Sequence, residues 1–241
     1  VAIQGVIGGT TALSSLDVNE GGGSGSIELT DIGDGDGAGV SGVSRIGNAL
    51  TSRINLDGTT YKFDGAATLT AASGENVDLT AGAETTLTTS GDQLSFVGAD
   101  VSLFDGSDLV IGTSNGAVNL VGIYGDSSED VTINAGSGVV SVGAIGSGDE
   151  INTVGITSSG GITLNGNIST SDASGNSVTL TGPVTLGANV VIDTDTAGSD
   201  GAITFTSTVD GAKNLDLLSG SGLVAIQGVI GGTTALSSLD V

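Results

Sequence analysis

The first eighteen residues, VAIQGVIGGTTALSSLDV, return without a change as residues 224–241. The rest of the chain repeats itself only loosely, so identity over that length points to a tandem array. On this reading residues 1–223 form one repeat unit and residues 224–241 begin the next. Such arrays are built by stacking, each unit touching only its neighbours. A weaker repeat lies inside the first. Residues 116–156 align with 201–241 at an offset of about 85, so that Ile145 matches Ile230 and Ile151 matches Leu236. Sub-repeats are therefore expected near 116–200 and over 201–241 continuing into 1–30. The positions that match are apolar or Gly, and the polar ones vary, as in a shared fold unit with free outer faces.

Short alternating runs recur along the whole chain. Ala67, Leu69 and Ala71 alternate with Thr68 and Thr70, Val131 and Ile133 with Thr132 and Asn134, and Ile203 and Phe205 with Thr204. A period of two with one apolar side is the mark of a half-buried strand. Gly, Asn, Asp and Ser separate the runs and supply turns. No window shows a sustained helical period, and 44 Gly would weaken any helix. The apolar side chains are small, with only 2% aromatic residues, which suits a narrow stacked tube better than a globular core.

The expected fold is therefore all-β, a right-handed parallel β-solenoid. At about 20 to 22 residues per rung, one repeat would hold roughly ten or eleven rungs. An array of β-sandwich repeats is the alternative, and Asn115-Gly116 and Asn165-Gly166 are its candidate hairpin turns. Residues 31–64 read as an irregular insertion that breaks the cadence.

Composition excludes several functions. Four basic residues face 27 acidic ones, a net charge of −23. Such a surface repels phosphate backbones and anionic bilayers, so neither nucleic acid nor direct membrane insertion is expected. The chain has no His and no Cys. Ser-His-Asp, Cys-His and His-zinc chemistry are thereby unavailable. A carboxylate pair without Trp and with two Tyr makes a poor glycosidase site. The chain reads as a non-enzyme. No apolar stretch approaches eighteen residues, and no signal peptide is visible.

Two acidic clusters have the oxygen chemistry that Ca²⁺ takes. Asp31, Asp34 and Asp36 are spaced along a Gly-rich turn, and Asp193, Asp195 and Asp200 form a second group. Neither carries the closing Glu of an EF-hand loop, and a solvated acidic turn remains the alternative. The basic residues also cluster. Arg45, Arg53 and Lys62 lie close to Tyr61, either as a contact for an acidic partner or paired locally with Asp57 and Asp64. Thr-x-Thr pairs at 68–70, 86–88, 179–181, 194–196 and 204–206 have irregular spacing, which argues against a regular ice-binding array. The sequon Asn167-Ile168-Ser169 is a formal glycan acceptor.

The phrase GLVAIQGVIGGTTALSSLDV, with DGAKNLDLLSGS and VTLTGPVTLGANVVIDT before it, resembles the repeats of giant bacterial surface proteins. These are the filamentous-haemagglutinin-like, β-strand-repeat adhesins. The match rests on Gly231–Leu239 and Gly182–Gly187 and is good over 116–241 and 1–18. The resemblance implies secretion, a solenoid stalk and adhesive or structural work, with no catalytic residues. The expected partner is the chain itself, through axial repetition or head-to-tail assembly with some lateral bundling. A glycan ligand on the flank loops is the alternative role.

Overall fold

A computed structural model describes residues 1–19, 21–34, 38–104, 106–126, 128–171, 175, 177–196 and 200–241. Its strands pair side by side in parallel across successive turns of one coil, and no antiparallel pair occurs among the described residues. The result is a β-solenoid of about 9 turns. Each turn has three faces. Face A contains Leu16–Val18, Ser44–Gly47, Ala67–Thr70 and Leu94–Val97. Face B contains Ala2–Ile3, Ser26–Leu29, Arg53–Leu56 and Asn76–Leu79. Face C contains Thr60–Lys62, Thr85–Thr88, Leu109–Gly112 and Asp130–Asn134. Two longer strands, Val118–Tyr124 and Val140–Ile145, run from face A round the corner into face B. That corner requires Gly143, where a Cβ would lie 1.7 Å from the Val121 carbonyl oxygen of the turn before.

The alternation seen in the sequence becomes inward and outward. On face C one inward column runs Ile7, Ile32, Tyr61, Leu87, Ile111, Ile133, Ile156, Leu180, Phe205 and Ile226. Like side chains stack on like at one strand spacing, and all but the two end members are fully enclosed. Burying each such side chain contributes roughly 1.5–3 kcal/mol. The outward neighbours are mostly Thr. Asn115-Gly116 is a corner between parallel strands rather than a hairpin, which removes the sandwich alternative.

Two expectations are corrected. Several turns are longer than 20 to 22 residues. Face A advances by 22 from Val118 to Val140 to Ile162 to Val184, but by 28 from Leu16 to Ser44. The extra residues sit in corners, so fewer turns fit. Residues 31–64 are not an insertion either. Ser44–Gly47, Arg53–Leu56 and Thr60–Lys62 stack in register with the strands on either side.

The two identical segments occupy different faces. Ala2 and Ile3 pair on face B, with Glu28 and Leu29, whereas Ala225 and Ile226 pair on face C, with Thr204 and Phe205. Ile7 bridges to Ile32 on face C, whereas Ile230 bridges to Val209 on face A. Leu16 pairs with Ser44 on face A, whereas Leu239 pairs with Leu215 on face B. All three markers move by one face in the same sense. Nine face-B steps separate Ala2–Ile3 from Asn214–Leu218, and Val224–Ile226 lies one face further on. From one copy to the other, 223 residues on, the coil thus makes nine and one third turns.

Candidate functional site

Several carboxylates of this acidic chain fasten corners. Asp31 Oδ1 accepts the backbone N–H groups of Thr59 at 2.9 Å and Thr60 at 3.0 Å, fastening one turn to the next. Asp34 lies beside Gly9, and Asp36 falls outside the described residues. In the second group, Asp193 Oδ1 accepts the N–H of Asp195 at 3.0 Å. Asp200 accepts the Ser221 hydroxyl, and that bond, the Ser221 amide and Asp195 together hold its carboxyl below the ordinary value. Asp195 and Asp200 converge on Gly220, at φ +54°, where a Cβ would come within 2.9 Å and 2.0 Å of their Oδ1 atoms. Among the described residues no group of three or more acidic side chains is gathered closely enough to hold an ion.

Glu129 does something the sequence did not signal. It is fully enclosed. Burial pushes its carboxyl pKa up, but the Asp126 and Gly106 N–H groups and the Ser128 hydroxyl outweigh burial and bring it down to about 2. One carboxylate thereby satisfies several corner donors that would otherwise be orphaned.

The four clustered residues separate in space. Arg45 pairs with Asp17 at 3.3 Å, both about half exposed. Arg53 pairs with Asp78, whose side chain is fully buried. Burial raises the Asp78 pKa against the pull of Arg53, and its Oδ1 has no hydrogen-bond partner. Both of these partners are carboxylates of neighbouring turns. Asp57 accepts from Asn55 and Thr80. Lys62 stands on the outward row of face C, beside Thr88. Tyr61 is not a contact residue: it is a core residue with no exposed surface. Its hydroxyl donates to Leu29 O and accepts from Gly58 N–H, both at 2.9 Å. The inward position on face C explains the difference, because flanking Thr60 and Lys62 take the outward sites.

Face C carries a pattern that irregular spacing concealed. One outward row runs Thr60, Thr86, Val110, Thr132, Gly155, Thr179 and Thr204. A second runs Lys62, Thr88, Gly112, Asn134, Thr157 and Thr181. Differences in corner length are absorbed elsewhere, so threonines far apart in sequence align on the coil. Where face C turns toward face A lies an open hollow of about 590 Å³, lined by residues that include Asn115, Ser137, Thr157, Thr181 and Ser207.

Comparison with protein-family models, with curated proteins and with solved structures finds no match.

Proposed function

We propose that this chain is a non-catalytic structural element of a secreted or cell-surface fibre, built from tandem β-solenoid repeats. One observation carries the reading. The same eighteen residues join the coil at two places, one face apart, and each copy stacks in register on the adjoining turn. A segment that is self-complementary to the coil at either phase suits an array without caps between units. Load along the axis falls on backbone ladders and stacked aliphatic columns. The acidic corners keep such a fibre soluble. Because each unit closes nine and one third turns, successive units present a given face in three directions around the axis.

The test is a polypeptide with one, two or three tandem copies of residues 1–223. A continuous coil gains about 45 Å in length per copy, nine and one third turns at a strand spacing of about 4.8 Å. Small-angle scattering and electron microscopy measure this directly. Beads on flexible linkers, with no fixed axial increment, would sink the proposal.

A further inference from the structure

The hollow beside face C is an axial groove. Asn115, Ser137, Ser159, Pro183 and Ser207, from five successive turns, form one wall. Thr157, Thr181 and Thr206, outward on face C, form the other. At about 4.8 Å per turn the groove runs for roughly 20 Å along the axis. Its walls are held in place. The Ser137 hydroxyl donates to Asn115 Oδ1 at 3.0 Å, and Ser159 donates to Gly136 O at 3.1 Å. Thr206 Oγ1 accepts the Gly182 N–H at 3.3 Å.

The charge distribution is the second observation. The chain carries −23, yet none of the described residues lining this groove is charged. The adjoining outward positions of face C from Thr132 to Gln227 are equally neutral: six threonines with Asn134, Gly155, Ala225 and Gln227. The face-C carboxylate of this stretch, Asp130, stands at the end of its strand away from the groove, where it accepts from Asn152 and Thr153. We propose that this groove binds a single uncharged polysaccharide chain laid along the coil axis.

The chemistry favours that ligand over others. A hydroxyl both donates and accepts, so successive Ser and Thr side chains match the diols of a neutral sugar chain. Hydroxyls recur at successive turns on one wall or the other, and contacts accumulate along the chain. A uronate or sulfated chain would enter the field of 27 acidic residues with no Lys or Arg in the groove to receive it. A concave, elongated site suits a linear chain better than a flat crystal face. Without aromatic platforms the affinity for a short oligosaccharide should be millimolar. The inference stands on this groove alone and does not depend on tandem assembly.

The test is methyl NMR on the threonine-labelled protein, titrated with cellohexaose and, in parallel, with a hexamer of galacturonate. Cellohexaose should shift the Thr157, Thr181 and Thr206 methyl signals and leave those of face A unmoved. Thr181→Asp should weaken binding at least tenfold, with circular dichroism unchanged. Thr163→Asp, on the outer side of face A, should leave it intact. Four results would overturn the proposal: no shifts at the solubility limit of cellohexaose, shifts outside the groove, equal binding of galacturonate, or binding indifferent to Thr181→Asp. Inhibition of ice growth without cellohexaose binding would also overturn it, and would reassign the threonine rows to a lattice surface.

Discussion

Tyr61→Phe isolates one buried hydroxyl. The ring keeps its place in the face-C column between Ile32 and Leu87, so no cavity forms. What is lost is the bridge from Gly58 N–H through Tyr61 Oη to Leu29 O, two bonds of 2.9 Å in the interior. Both backbone groups are then left without that partner. An unsatisfied buried group costs about 1–3 kcal/mol, and each 1.4 kcal/mol is a factor of about ten in the opening equilibrium. Because a solenoid turn depends on its neighbours alone, the loss should be local. Hydrogen exchange at Gly58 should accelerate between roughly 5-fold and 150-fold, while amides near Phe205 keep their protection. Tyr124→Phe is the contrast. Its hydroxyl meets Ser102 and Asn76 on the outer side, where water replaces a lost partner, so exchange there should change by less than about tenfold. Equal effects at the two tyrosines, or an unchanged Gly58, would refute the inward placement of Tyr61.

Val131→Asp buries a charge on the inward side of face C and should cost several kcal/mol by denaturant titration, whereas Thr132→Asp on the outer row should cost under about 1 kcal/mol. Similar midpoints for the two would reverse the inward and outward assignment. Glu129 is held down to about 2, below the ordinary carboxyl value of 4.5, so its contribution is present above about pH 4.5 and is lost as pH falls toward 2. Glu129→Gln should therefore lower the melting temperature at neutral pH and flatten its fall in acid; a parallel acid profile would show that Glu129 is not the titrating group. If the Asp193, Asp195 and Asp200 corner takes Ca²⁺, millimolar Ca²⁺ should raise the melting temperature, and Asp195→Asn should abolish the rise. A melting curve that ignores both Ca²⁺ and chelator would leave the corner held by Ser221 and backbone N–H groups alone.

Sequence alone determined the strand unit. Alternation at Val131–Asn134 or Ile203–Phe205 is a local, period-two property, and it fixes which side chains point inward once any parallel stack forms. It also determined the repeat, since identity at 1–18 and 224–241 needs no structure to be seen. What lies above a strand was decided elsewhere. A strand with its corner spans about a third of a turn, and one looks much like another, so VAI reads the same on face B as on face C. Corner lengths set the register, and they vary between turns as irregularly as the step from Leu16 to Ser44 differs from that between Val118 and Val140. Only the sum of those corners, closed by stacking on the preceding turn, places Tyr61 inside, pairs Arg53 with Asp78, and aligns Thr86 with Thr179 and Thr204. Those contacts lie a full turn or more apart in the chain, beyond the reach of any local pattern, and so tertiary structure alone decided them.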